Sequence, residues 1–252
     1  MNVTRTFVVV GLLCGTVATA AAYAPYPGYV MNLVAAKRMK QKLDAIRVTL
    51  KRTEYTGTTP SEPYEVVVTF RSGGRVRREW TDKDGVKHAR IHDATRALAV
   101  DGDKKQKTAL VPDVFDALWA TGADADEREG AQNRAVAVLQ GWGVKEDVAF
   151  ARTDGRIAWV VGGLGNNVAQ VWVDKDDFLP LRYVYGEGEH APEEPPKGPW
   201  VEVRLKGWGS AAGGEFHPAR TEVYRDGVLM RVDELVKVDV TPKLDEREFK
   251  LD

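Results

Sequence analysis

The fold is decided between residues 167 and 249, a stretch that opens with VAQVWVD (168–174), a polar turn and LPLRYVY (179–185). Within Val201–Lys206 the odd positions are apolar and the even positions are charged. Because a strand sends neighbouring side chains to opposite faces, this alternation makes one apolar face and one polar face. Its repetition up to Phe249 predicts an antiparallel sheet with a single buried face.

The same alternation extends upstream of this stretch. It predicts strands at Ile46–Lys51, Glu65–Arg71, Arg75–Thr81, Lys87–His92, Ala97–Val100, Lys107–Val111, Val148–Arg152 and Ile157–Val161. The residues Asp82–Gly85 resemble the start of a calcium loop, but they lack the distal bidentate glutamate of an EF-hand. We therefore interpret them as a hairpin turn.

The middle of the chain changes to a helical period. Pro112 suits a first helical position, and an apolar stripe with spacing i, i+1, i+4, i+5 follows it. A second stripe ends at Gly141 and Gly143. The two stripes consist of Val114, Phe115, Leu118 and Trp119, and of Ala131, Ala135, Val138, Leu139 and Trp142. Two short helices between two sets of strands must bury these stripes, and the apolar face of the sheet is the natural partner.

A further amphipathic helix is predicted from about Tyr29, because apolar residues recur every fourth position. They are Met31, Ala35, Met39 and Leu43, and the other side carries Lys37, Arg38, Lys40 and Lys42, which we expect to be solvated. Together these patterns predict a mainly β (α+β) fold: an incomplete antiparallel β-barrel, a strongly curved sheet of roughly 11 strands, with a helical lid at about 112–143 over its concave apolar face.

The N-terminus resembles a secretory signal peptide. Arg5 supplies a positive charge, Phe7–Val17 is an apolar run, and residues 18–22 contain two A-x-A cleavage sites. We expect a signal peptide at residues 1–22, a single domain at 23–252, and a periplasmic address. Lipidation at Cys14, which follows Leu13 rather than a small residue, and a retained membrane anchor are the alternatives.

The composition excludes several classes. The formal net charge of −1 over 252 residues argues against a dedicated nucleic-acid binder. Cys14 is the only cysteine, so a mature chain cut after the signal peptide has no thiol chemistry and no disulfide. We expect no cofactor, no metal and a monomeric state.

Enzyme motifs do not stand above background. His88 and His92 have a four-residue spacing but no third ligand at a familiar zinc spacing. His190 falls in the Pro- and Glu-rich segment from Gly186 to Pro199, where we expect solvent. There is no G-x-S-x-G elbow. A catalytic role for His88, His92 or His217 would need two of them to meet a carboxylate at a cleft.

Large apolar side chains are numerous, with seven Trp, eight Tyr and seven Phe. A curved sheet under two short helices leaves a concave space that is hard to fill, and such a space could hold an acyl chain. The residues predicted to line it are Val66, Val68, Phe70, Trp80, Phe115, Leu118, Trp119, Leu139, Trp142, Trp159 and Trp172. The alternative is an ordinary core that these side chains fill themselves.

The layout resembles the periplasmic lipoprotein carriers and lipoprotein-sorting proteins of the LolA/LolB-like superfamily. The resemblance rests on the signal peptide, the helix, the two-helix insertion, the segments 170–174 and 179–182, and the ending 238–249. It implies an open barrel with a lid, a cavity for acyl chains of lipoproteins or other lipids, and no catalysis. It also implies an arginine that latches the lid, for which Arg71 and Arg78 are the candidates.

Two functional hypotheses follow from this resemblance. The first is a carrier or binder of lipoproteins or lipids in protein transport through the cell envelope. The second is an envelope sensor or protein-interaction module with a filled core, which would bind inner- or outer-membrane proteins. A shared fold does not choose between them.

Overall fold

The computed structural model describes residues 25–111, 113–188 and 198–251. The predicted signal peptide, Pro112, His190 and most of the Pro- and Glu-rich segment lie outside the described residues. Among the helices of the described part, none has the length and apolar character needed to span a bilayer.

The fold is one large curved antiparallel sheet that does not close into a barrel. Its strands are β1 (Ala45–Thr56), β2 (Thr59–Pro60), β3 (Tyr64–Arg71), β4 (Arg75–Thr81), β5 (Lys87–His92), β6 (Ala97–Asp101), β7 (Lys104–Thr108), β8 (Val148–Thr153), β9 (Arg156–Val161), β10 (Gln170–Asp174), β11 (Pro180–Gly186), β12 (Trp200–Lys206), β13 (Arg220–Arg225) and β14 (Val228–Asp239). Strands β1 and β14 pair at its centre, and β7 and β8 form its two edges in the described chain.

The described chain has fourteen strands instead of roughly 11. One of the additional strands, β2, has only two residues, too few to show an alternating pattern. Two-residue turns join β6 to β7 and β13 to β14; they contain Gly102 with φ +61° and Gly227 with φ +78°, conformations that glycine adopts without strain. The turn at Gly102 also places β7 at Lys104–Thr108, which corrects the strand predicted at Lys107–Val111.

Three α-helices cover one face of the sheet: α1 (Pro27–Met39), α2 (Val114–Trp119) and α3 (Ala125–Gly141); a short 3-10 helix spans Glu246–Phe249. Asp113 caps α2 by accepting a hydrogen bond from the Phe115 backbone N–H at 2.7 Å. Asp124 caps α3 in the same way through Glu127 at 2.7 Å. The helical lid predicted at about 112–143 therefore corresponds to α2 and α3.

One residue of α1 departs from the predicted solvated face. Arg38 is buried at 1% exposure, and its Nε donates to the carbonyl oxygen of Trp119 at 3.2 Å. Burial lowers the pKa of Arg38 to about 10. The last carbonyl groups of a helix have no partner within the helix, and the Arg38 side chain satisfies one of them at the end of α2. A cation on this face of α1 is therefore used inside the protein.

Pairing register defines the two faces of the sheet. Leu50, Val66 and Trp80 are cross-strand partners and share one face, as are Val48, Val68 and Arg78. We call this the inner face, because Arg78 reaches helix α2. The opposite, outer face carries a small separate cluster of Ala89, Ile91 and Leu98 with the C-terminal Leu251.

The main core lies between the inner face and the helices. Leu118 and Trp119 of α2 are 0% and 1% exposed, and the Trp119 ring stacks on Phe115 at 4.5 Å between centroids. Trp142, directly after α3, stacks on Tyr185 of β11 at 4.6 Å. The Phe115 ring in turn meets Phe70 of β3 edge-on at 5.8 Å, so aromatic contacts fix α2 and the end of α3 over the sheet.

Candidate functional site

An ion pair joins the inner face of the sheet to helix α2. The Arg78 Nη2 lies 2.5 Å from Asp116 Oδ1 and 2.6 Å from Oδ2. The Nε2 of His92, on the neighbouring strand β5, lies 3.0 Å from Asp116 Oδ2 and 3.3 Å from Arg78 Nη1. Asp116 is 3% exposed, so its charge depends on these two partners.

The electrostatics hold this pair in its ionised form. Burial by itself would raise the pKa of the Asp116 carboxyl, but the Arg78 guanidinium and His92 outweigh burial and keep that pKa well below its usual range. Burial likewise opposes the charge of Arg78, and Asp116 more than compensates, so the pKa of Arg78 rises. Losing either partner would leave an uncompensated charge inside the protein.

A second carboxyl stands beside the first. Asp113 caps helix α2 and accepts a hydrogen bond from the Tyr183 hydroxyl at 2.9 Å. Burial and the neighbouring Asp116 charge raise the pKa of Asp113. Burial and the Asp113 carboxyl raise the pKa of Tyr183, so that hydroxyl keeps its proton and donates. Helix α2 is thus held to strand β4 and to strand β11 by two adjacent acids.

A further ionic group lies on the inner face. Arg52 of β1 stands opposite Asp233 of β14 in the register, and its Nε and Nη2 donate to the two Asp233 oxygens at 2.7 Å and 3.0 Å. Arg231 shares this carboxylate, with its Nε 3.2 Å from Oδ2. Burial opposes the charge of Asp233, but Arg231 and Arg52 prevail and lower its pKa.

The space left between helices and sheet is small. A cavity of about 60 Å³ lies among charged side chains and the apolar residues next to them. Its lining consists of Leu50, Arg52, Val68, Phe70, Arg78, Asp113, Phe115, Asp116, Tyr183, Leu205, His217, Thr221, Arg231 and Asp233. A groove of about 210 Å³ lies beside His92, Asp116 and Ala137. Ligand sites span roughly 300–1,000 Å³, so the helices close over a packed interior.

Most of the predicted lining residues do lie in this interior. Those buried between helices and sheet are Val66, Val68, Phe70, Phe115, Leu118, Trp119, Leu139 and Trp142. Trp80 is half-buried on the inner face, where it stacks on His88 at 5.1 Å. Trp159 is also half-buried and lies 4.1 Å from the Phe150 ring, near the β8 edge.

Trp172 is the exception among them. Its cross-strand partner is Arg182, which is next to the inward-facing Tyr183 and therefore belongs to the outer face. The Arg182 guanidinium lies 5.1 Å from the Trp172 ring centroid. Trp172 therefore lies on the outer side of β10, although it belongs to the same buried cluster as the interior residues; β10 is buried on both faces, and its apolar run gives no phase.

The two candidate arginines have different partners. Arg78 contacts helix α2, as described above. Arg71 lies on the outer face, where its Nη1 donates to Glu246 at 2.8 Å and its guanidinium sits 5.5 Å from the Phe249 ring centroid. Only Arg78 of the two has the geometry to hold the helices.

The histidines are dispersed among separate environments. His88 contacts Asp101 at 2.7 Å and Asp82 at 3.0 Å at the end of the β4–β5 hairpin. His217 is buried against Phe115, with its Nδ1 2.9 Å from the Pro218 carbonyl oxygen, and burial lowers its pKa to about 4. Among the described residues no group of three or more His, Cys, Asp and Glu could hold a metal ion.

The sequence pattern missed the interior charges. Arg52 stands two residues after Leu50, so the alternation of Val48 and Leu50 already indicated that its side chain faces inward. Asp116 sits on the buried side of α2, between Phe115 and Leu118. A short helix buries every one of its residues here, so its apolar stripe did not reveal the charged one.

No family model matches the chain, and no curated protein matches it significantly. Solved structures do share its fold. A LolA superfamily protein from Nitrosomonas europaea is 13% identical over 87% of this chain and 97% of its own, with a TM-score of 0.53. A putative outer membrane lipoprotein-sorting protein domain from Vibrio parahaemolyticus is 8% identical over 88% and 97%, with a TM-score of 0.55. A DUF1329 family protein from Desulfovibrio piger is 13% identical over 90% and 98%, with a TM-score of 0.57. The chain therefore has the LolA-like fold that its sequence resembles.

Proposed function

We propose that the protein binds and carries lipoproteins or lipids in the periplasm, holding acyl chains between the sheet and helices α2 and α3. One observation carries the proposal: the apolar inner face of an unclosed sheet is covered by helices, and these helices hold the only large apolar layer within the described residues. Displacing helices α2 and α3 would expose an apolar trough along the inner face of the sheet.

The Arg78–Asp116 pair is the latch in this proposal. It is an ionic contact between the inner face of the sheet and α2, next to the apolar core. Breaking it opens helix α2 only if both charges find water or a ligand, which makes the closed state stable without cargo. Each methylene of an entering chain contributes about 0.8 kcal/mol, so several must be buried to offset the opening.

The packed interior favours a second candidate. The cavity between helices and sheet is only about 60 Å³, which leaves no room for an acyl chain while α2 and α3 are closed. An envelope sensor or protein-interaction module would keep α2 and α3 closed and use its surface to bind a membrane protein. The two candidates differ in whether the helices ever leave the sheet.

Lipid uptake separates them. Purified protein is analysed by mass spectrometry for co-purified lipid and is titrated with a fluorescent acyl lipopeptide. The carrier predicts bound lipid and saturable uptake, faster in Arg78→Met than in the wild type. The matched control Arg71→Met, on the outer face, should leave uptake unchanged. No lipid and no uptake in any variant, together with capture of a membrane protein by the closed form, would establish the second candidate.

A further inference from the structure

One arginine at the edge of the interior has hydrogen-bond donors without a protein acceptor. Arg231 lines the 60 Å³ cavity, and its Nε is buried without a hydrogen-bond acceptor among the described residues. Its ion-pair partner there is Asp233, 3.2 Å away, whose two oxygens already accept hydrogen bonds from Arg52. A guanidinium carries five N–H donors, and the Arg231 side chain is 37% exposed, so its other donors have no acceptor in the described part of the chain and are open to solvent.

The charged side chains around this cavity differ in how well they are paired. Arg78 is matched by Asp116 and Arg52 by Asp233, each through two short hydrogen bonds. The remaining groups are Arg231 and Asp113, and burial together with the Asp116 charge raises the pKa of Asp113. Burial also opposes the charge of Arg231 and lowers its pKa. A partly desolvated cation in this position is stabilised by an added anion.

The lining of the cavity combines charged and apolar side chains. Arg52, Arg231 and Asp233 form one charged group, Arg78, Asp113 and Asp116 form another, and Leu50, Val68, Phe70, Phe115 and Leu205 supply apolar walls. The apolar walls continue into the layer beneath α2 that would be exposed if the helix moved. A ligand that fits both the Arg231 donors and the apolar walls has a negative head and a hydrocarbon tail.

We propose that Arg231 binds the carboxylate of a long-chain fatty acid, with the head group inside the cavity and the tail along the apolar layer under helix α2. The inference rests on the proposed lipid-binding function and names the class of lipid. An acyl chain in ester or amide linkage has no carboxylate, so a ligand of that kind leaves Arg231 with Asp233 as its one anionic partner in the described chain. A planar carboxylate matches the guanidinium fork.

The test compares a fatty acid with a neutral analogue of equal length. Dodecanoic acid and dodecan-1-ol are titrated into the full chain by isothermal calorimetry, below their aggregation concentrations. We expect the acid to bind at least about tenfold more tightly, because a charge-assisted hydrogen bond is added to the same tail burial. Equal affinity of the two ligands overturns the carboxylate site and leaves the lipid-binding function intact. Binding of neither overturns both.

Variants locate the preference at one residue. Arg231→Met should abolish the preference for the acid while retaining dodecan-1-ol binding, and Arg231→Lys should retain part of it. The matched control is Arg204→Met, an outer-face arginine paired with Glu202; it should leave both affinities unchanged. A preference that survives in Arg231→Met overturns the assignment. The comparison of ligands on the wild type remains decisive if Arg231→Met does not fold.

Discussion

Arg78 and Asp116 connect the inner face of the sheet to helix α2 through one guanidinium nitrogen and both carboxylate oxygens, at 2.5 Å and 2.6 Å. Asp116 is almost fully buried, and His92 is its other charged or polar partner in the described chain. The position of helix α2 therefore depends on this ion pair.

Removing one member of this pair should destabilise the protein strongly. Arg78→Met is expected to lower the free energy of unfolding by about 3–5 kcal/mol, since it leaves a buried carboxylate unpaired. The double variant Arg78→Met with Asp116→Leu should recover most of that loss. Urea unfolding of both singles and the double gives the coupling energy.

The control for that cycle is the other candidate arginine. Arg71 pairs with Glu246, whose side chain is 72% exposed, so Arg71→Met should cost only about 0–1 kcal/mol. Equal losses for Arg71→Met and Arg78→Met would contradict the role assigned to Arg78.

Asp113→Asn should stabilise the protein at neutral pH. The raised pKa of Asp113 means that the folded state binds a proton more tightly than the unfolded state, so stability falls as pH rises from 3.8 through the folded pKa. Asparagine caps a helix as well as aspartate does, and we expect a gain of about 1 kcal/mol at pH 7. The gain should vanish below pH 3.8, where both states are protonated.

The comparison variant is Asp113→Ala, which loses the cap and the Tyr183 hydrogen bond. It should cost about 1–2 kcal/mol under the same conditions. If Asn and Ala variants are equally destabilised, the carboxyl of Asp113 is favourable as a charge and the inference about its pKa fails.

His217 should make the protein sensitive to mild acid. Its pKa falls from 6.5 to about 4 in the folded state because it is buried, whereas the unfolded chain binds a proton below 6.5. The stability it contributes is complete above pH 6.5 and is lost as pH falls towards 4, by about 3 kcal/mol in total.

His217→Asn keeps a side-chain donor for the Pro218 carbonyl and removes the titration. The difference in unfolding free energy between wild type and this variant should therefore shrink as pH drops from 7 to 5. A difference that stays constant over this range would show that His217 is not the titrating group.

A backbone prediction tests the turn between β9 and β10. Gly162 has φ +107°, and an added Cβ would lie 2.3 Å from the Ala169 carbonyl oxygen. Gly162→Ala should cost more than about 2 kcal/mol, because backbone must shift as well as adopt a strained φ. Gly163→Ala, with φ +88° and no atom near its Cβ, should cost about 1 kcal/mol. Thermal unfolding distinguishes them.

The predicted class of fold is confirmed, because strand alternation and helical spacing are local signals. The hairpin turn at Asp82–Gly85 is one example: Asp82 Oδ1 accepts hydrogen bonds from the Asp84 and Val86 backbone N–H groups at 2.9 Å. The face of Trp172 was not predictable in the same way, since a strand that is buried on both faces shows no alternation of apolar and polar residues.

The amino-acid sequence alone determined the antiparallel sheet, the two-helix insertion and their apolar contact, because each depends on the order of apolar and polar residues along one segment. Only the tertiary structure decided which charges lie inside. Arg52 and Asp233 are 181 residues apart in the sequence, far more than any one strand or helix spans. They meet because β1 and β14 pair. The energy of a buried charge depends on its partner in space, and that partner is set by strand register rather than by neighbouring sequence.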